Sequence, residues 1–281
     1  MSVTNAGAEV SETSSSRRSA RAPGRVSPLL AIPAIIGASL FIIPLIGLLS
    51  RTPWSDLGRL IATETVVDAL RISLITSVAS AALSLVLGVP LAWLLSRGRF
   101  RGKRILRALV TLPMVLPPVV GGAALLFALG RRGLLGEPLY EATGIVLPFS
   151  TLGVILATTF VAMPFLVVTL EGGFNNVDRR YEAAAATLGA GPLTVFWRVT
   201  LPMVAPTLRA GVVLAWARAL GEFGATITFA GNLGGRTQTL PLAVFVALES
   251  DRDTAIAISL VLVAVSVVVL VTMRDRWWSR P

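Results

Sequence analysis

The 281-residue sequence contains no histidine, no cysteine and a single lysine, and only 14% of its residues are charged. Without thiol or imidazole there is no disulfide, no thiol nucleophile, no His general base and none of the common zinc sites. The one lysine sits in Arg101-Gly102-Lys103-Arg104, so no G-x-x-x-x-G-K-[ST] loop is present to cradle a nucleotide phosphate. No catalytic residue and no metal ligand is expected, and any ATP-driven work must come from another polypeptide. Apolar residues are abundant instead, at 54% of the chain, with a mean hydropathy of +0.77. Soluble domains carry about 25% charged and about 45–50% apolar residues, so the composition is that of a membrane protein.

Residues 1–27 are rich in Ser, Ala and Arg and too poor in apolar residues to pack, which predicts a disordered basic cytosolic tail. After it, residues 29–49 run without a charge, and a bilayer core needs about 20 helical residues. No small-residue cleavage site clearly follows, so this segment is expected to stay in the chain. The same test selects 72–95, 108–129, 145–170, about 203–230 and 254–273, six spans in all. Gly88 and Pro90 in the second span and Pro113, Pro117, Pro118, Gly121 and Gly122 in the third predict kinks where helices pack or line a cavity. The predicted six-helix transmembrane domain covers 28–275, with a short cytosolic C-terminus at 276–281.

With an even number of spans both termini share a side. The tail, the connections after the second and fourth spans and the C-terminus together hold 16 basic residues, whereas the opposite loops hold 6. Excess Lys and Arg mark the cytoplasmic side, so both termini are expected in the cytosol. The net charge of +10 is thereby assigned to orientation and lipid headgroups, and nucleic acid is not expected as a partner.

The longest inside connection, about 171–202, reads EGGFNNVDRRYEAAAATLGAGPLTVFWRVTLP. Asp178 suits a helix N-cap, Ala183, Ala184, Ala185 and Ala186 continue the helix, and Gly189 suits a left-handed stop with Pro192 beyond it. A narrow alanine rod with polar residues at one end fits a groove on a partner; an interfacial helix resting on headgroups is the alternative. This loop resembles the EAA loop of ABC-importer permeases: Glu-Ala-Ala, three residues, Gly, nine residues, an aliphatic residue, one more, then Leu-Pro. From Gly189 through Val199, Leu201 and Pro202 the match is complete. Upstream, Ala184 and Ala185 fill the alanine positions, but Ala183 stands where the family has Glu, and Glu182 lies one residue earlier. That offset turns the carboxylate by about 100° on a helix. The resemblance implies that this helix docks into a cytosolic ATPase subunit, which uses ATP and Mg, while this chain binds no cofactor. It further implies an all-α polytopic fold with six transmembrane helices, the type I ABC importer permease architecture.

In the fifth span, Arg218 and Glu222 stand four apart, share a predicted helix face and can pair. Ionisable residues within a span usually face a bundle interior or an aqueous path, so either a self-neutralising pair or a pathway role follows. Gly221 and Gly224 permit close packing or a break, and Thr226 and Thr228 near the outer end add hydroxyls. The string ARALGEFGATITFAGN at 217–232, with LPMVLPPVVGG at 112–122 and GRRGLLG at 130–136, resembles the molybdate branch of these permeases. That resemblance implies a homodimer in the cell membrane, two ATP-binding subunits and an extracytoplasmic molybdate-binding protein. Sulfate, thiosulfate and tungstate permeases are the neighbouring readings. An ion-coupled secondary transporter would place acidic residues near the midplane, where Glu222 stands almost alone. An intramembrane hydrolase would need a His or a Gly-x-Ser-x-Gly elbow, and both are missing. A conduit should touch a tetrahedral dianion weakly, since a deep well would trap it. Arg131, Arg132 and Arg236 of the outer loops could receive the anion or its carrier, although ordinary solvated charge explains each.

Overall fold

The computed structural model describes residues 28–277; the expected tail 1–27 and the last residues 278–281 lie outside them. All regular elements among the described residues are helical. In chain order they are α1 (Pro28–Ser50), α2 (Leu57–Ile61), α3 (Glu64–Arg97), α4 (Lys103–Thr111), α5 (Pro118–Leu129), α6 (Gly136–Thr143) and α7 (Thr151–Asn176). They continue with α8 (Arg179–Thr187), α9 (Pro192–Val195), α10 (Leu201–Met203), α11 (Ala205–Leu220), α12 (Gly224–Ala230), α13 (Leu240–Ser250) and α14 (Arg252–Trp277). A 3-10 turn, Leu112–Met114, follows α4, and a π-turn, Phe196–Thr200, links α9 to α10. α1 is a unit by itself, and the residues from Arg51 onward form a second. With its 23 residues and no charged side chain, α1 has the all-round apolar surface that lipid requires.

α3 and α7 form the spine of the second unit. One end of their contact is apolar: Val89, Ala92 and Leu95 of α3 meet Ala162, Leu166, Leu170 and Phe174 of α7, and Ala215 and Ala219 of α11 join them. Toward the other end the contact turns polar. Ser73, Thr76, Ser77, Ser80 and Ser84 are all buried, and the Ser80 and Thr159 hydroxyls lie 3.1 Å apart in hydrogen-bond contact. Small hydroxyl side chains let membrane helices approach closely without leaving polar groups against lipid. A second cluster joins Val66 and Ala69 of α3 to Leu240, Ala243 and Ala247 of α13 and to Ala255 and Ile258 of α14.

Four helices are long and apolar enough to cross a membrane, and six spans are reached only when two bent pairs each count as one. The expected third span, 108–129, is not one helix: Lys103–Met114 and Pro118–Leu129 differ in direction by 118°. Leu116 and Pro117 each precede a proline, which disfavours α geometry, and Pro117 is extended at ψ 130°. The expected fifth span, 203–230, breaks twice. A 76° bend separates Pro192–Met203 from Ala205–Leu220, where Pro206 has no N–H for the carbonyl four residues back. Then Gly221 ends α11, and α12 starts afresh three residues later.

In the opposite direction, the kink expected at Gly88 and Pro90 does not break α3, which runs uninterrupted for 34 residues. The fourth span lies six residues later than expected, at Thr151–Asn176, because Ser150 caps its start by accepting from the Gly153 N–H at 3.0 Å. Glu171, placed by sequence in the connecting loop, is therefore inside α7. α13 was not among the expected spans and at 11 residues is too short to cross. The sixth span, expected at 254–273, is longer, and α14 carries the helix past the expected domain end at 275 to Trp277.

Candidate functional site

Two places gather the sequence-selected residues, one at the α8 end of the molecule and one where α5 meets α12. At the first, Asp178 caps α8 by accepting from the Arg180 N–H at 2.9 Å, and Gly189 stops the helix with φ +85°. The rod between them presents two faces. Tyr181, Ala183, Ala184 and Leu188 are exposed, Leu188 at 89%, whereas Glu182 and Ala185 are half-buried. The one-residue offset of the carboxylate therefore has a structural meaning. Ala183, at the family's Glu position, points outward, and Glu182 points in.

Inward, Glu182 Oε1 receives two donors, Arg97 Nη2 at 2.9 Å from the end of α3 and Thr200 Oγ1 at 3.0 Å from the π-turn. That turn exists because Pro202 cannot donate to the carbonyl four residues back; Leu201 N–H instead reaches Phe196 O, five residues back. Phe196 plugs the segment into the core, edge-on to Trp93 with ring centroids 5.8 Å apart and 6.4 Å from Phe174. Leu201 packs on the same core, Val199 is half-buried, and Pro202 is exposed at the start of α10. Close by, Arg107 of α4 grips the buried Glu171 of α7 through Nε, at 3.0 and 3.2 Å from the two carboxylate oxygens, and through Nη2. Sequence alone selected neither Arg97, Arg107, Thr200 nor Leu188; an arginine at a span end carries no sign of its partner.

At the second place the strings 112–122 and 217–232 pack on each other. A Cβ at Gly224 would sit 2.7 Å from Pro118 Cβ, and one at Gly122 would sit 2.7 Å from Thr228 Cβ and 2.8 Å from Ala225 O. Only glycine allows this approach. Glu222, 1% exposed, holds the break that starts α12: its Oε1 accepts from the Ala225 N–H at 2.8 Å, and its Oε2 lies 2.6 Å from Arg218 Nη1. The expected pair thus forms, although not along one helix, since Gly221 separates its members. Thr226 is fully buried with an unpartnered hydroxyl, and Thr228 donates back to Gly224 O at 2.8 Å. Within one chain the Thr226 hydroxyl is shut away from open space, whereas Thr228 is half-buried.

GRRGLLG folds back over the end of α5. Leu134 N–H reaches Phe127 O at 3.1 Å, and Leu135 N–H reaches Ala128 O at 2.8 Å, satisfying carbonyls that a helix end leaves open. Arg131 lies over the Tyr140 ring at 4.4 Å and donates to its hydroxyl at 2.9 Å. Arg236 lends its carbonyl to Thr151 Oγ1 at 3.0 Å. Among the described residues no three carboxylates converge as metal ligands would.

Comparison with known proteins places this geometry. Residues 84–279 match the family model described as "Binding-protein-dependent transport system inner membrane component". The chain is 51% identical over 222 residues to the molybdenum transport system permease protein ModB of Mycobacterium tuberculosis, covering 79% of this chain and 84% of that one. It is 44% identical over 191 residues to ModB of Escherichia coli, covering 68% and 83%. Among solved structures, a chain of a bacterial alginate ABC transporter, crystallised with an alginate pentasaccharide-bound periplasmic protein, superposes with a TM-score of 0.73. That match covers 90% of this chain and 95% of that one at 17% identity, which establishes a shared fold. With residues 84–279 matched by the family model and 79% of the chain aligned at 51% identity, the chain belongs to the family of binding-protein-dependent transport system inner membrane components, the permeases of ABC transporters.

Proposed function

We propose that this chain is the membrane-spanning subunit of a molybdate importer. It would act as a homodimer with two ATP-binding subunits and an extracytoplasmic molybdate-binding protein. The observation that carries the reading is the 51% identity to a molybdenum permease across 84% of that protein's length. Both termini and α8 lie in the cytosol in this scheme, in keeping with the basic residues of that side.

The work divides as follows. ATP and Mg are used by the partner subunits, since this chain has no phosphate loop. Their closure draws two copies of α8 together, each seated through its exposed Tyr181, Ala184 and Leu188 face, and tilts the attached helices so that access alternates across the membrane. Arg218 and Glu222 with the Gly224 to Thr228 segment stand beside the path. Their charges neutralise each other, which leaves the dianion weakly held and able to leave. Selection among oxyanions of one shape falls to the binding protein.

The test is reconstitution in vesicles with the partner ATPase and binding protein, followed by uptake of molybdate in competition with tungstate and sulfate. Molybdate uptake that excess sulfate leaves intact supports the reading; preference for sulfate overturns the substrate assignment.

A further inference from the structure

Ala183, where the family pattern has Glu, is exposed, while the carboxylate of Glu182 beside it is turned inward, and its partners suggest why. We propose that Arg97 is a positioning residue that latches α8 to α3, so that motion imposed on α8 is delivered to α3 as well as to its neighbours along the chain. The inference rests on the importer reading above.

By backbone alone α8 is joined only to α7, through Val177 and Asp178, and to the α9 to α11 segment, through Leu188 to Gly191. α3 ends 82 residues earlier in the chain, at Arg97. Its terminal guanidinium closes that gap. Nη2 meets Glu182 Oε1 at 2.9 Å and Val177 O at 3.5 Å, while Thr200 Oγ1 meets the same Glu182 oxygen at 3.0 Å. The ends of α3 and α7, the rod α8 and the π-turn therefore converge on one ion pair.

The pair is enclosed, with side chains 11% and 21% exposed, so solvent and salt screen it weakly. Arg97 Nε is buried without a hydrogen-bond partner, a desolvated donor retained at the centre of the latch. A surface ion pair would not hold its geometry in this way; the neighbouring Arg180 and Asp178 pair, 91% and 45% exposed, shows the contrast. α3 in turn is one unbroken helix, and near its far end Ser73 Oγ accepts from the Leu240 N–H at 2.7 Å, where α13 begins. A pull on α8 thus has a stiff route to the opposite end of the molecule.

The experiment measures ATP hydrolysis and molybdate uptake in the same vesicles for the complete transporter carrying R97Q, R97K, E182Q or the exchanged pair R97E with E182R. Uptake per ATP hydrolysed should fall about tenfold in R97Q and E182Q, with the ATPase still bound and active, and the two losses should not add. R97K should recover part of the coupling, and the exchanged pair should recover more. Membrane level and elution as an intact complex separate this outcome from misfolding.

Normal coupling in R97Q overturns the proposal. So does loss of the ATPase subunit in E182Q but not in R97Q, which would make Glu182 a docking contact. Should the exchanged pair fail to assemble, R97K against R97Q decides alone, and equal defects in the two count against the latch. Absence of ATP-driven uptake in the unmodified complex would instead remove the importer reading itself.

Discussion

Glu222 shows how much one buried carboxylate can organise. One oxygen starts α12 by capping the Ala225 N–H and the other neutralises Arg218. Glu222→Gln keeps an oxygen for the cap but gives up the charge, whereas Glu222→Ala loses the cap as well; both leave the 28% exposed Arg218 guanidinium without its partner. A lost N-cap costs about 0.5–2 kcal/mol. Glu222→Ala should therefore melt below Glu222→Gln in a detergent thermal-shift assay, and equal melting would show that the cap contributes little. The pairing of Arg218 with Glu222 was legible from their spacing of four. The break between them was legible only as one of two alternatives, close packing or a break at Gly221 and Gly224, because a glycine within an apolar run costs a helix only about 1 kcal/mol and does not by itself decide for a stop. Glu182 was legible as an offset from a pattern, but its partner Arg97 lies at the end of a different helix, and no local rule connects the two.

Among elements, α8 was the most legible, since its cap, its alanines and its left-handed glycine are all local signals. The bends were half legible: prolines marked where the third span would deform, but a 118° change of direction depends on what α5 packs against. That partner is α12, and the contact tolerates no added Cβ at Gly122 or Gly224. Gly224→Val should misplace α12, at a cost of about 1–3 kcal/mol or more for overpacking, and should lower uptake and thermal stability together. Ala184→Trp acts differently, because Ala184 lies on the exposed face of α8. This variant should insert and melt as the unmodified chain does, yet fail to retain the ATPase subunit and lose ATP-driven uptake; unimpaired uptake would remove α8 as the docking element. α3 continues as one helix through Gly88 and Pro90, and Gly88 packs closely on Leu166 and Val167 of α7, the helix contact expected at such residues.

For the whole molecule, composition alone excluded catalysis by thiol or imidazole and placed the chain in a membrane. Without a phosphate loop, a conduit reading leaves the use of ATP to a partner subunit. The count of spans was legible only in part, since six hydrophobic stretches resolve into four long helices and two bent pairs. The 16-to-6 division of basic residues predicts both termini in the cytosol; reporter fusions at each terminus should both score as cytosolic, and opposite scores would mean an odd number of crossings. The account as a whole turns on what drives transport. Vesicles holding the permease, its ATPase and its binding protein should accumulate molybdate when ATP is sealed with the ATPase and should not when a non-hydrolysable analogue replaces it. Accumulation driven by a proton or sodium gradient without ATP would contradict the account.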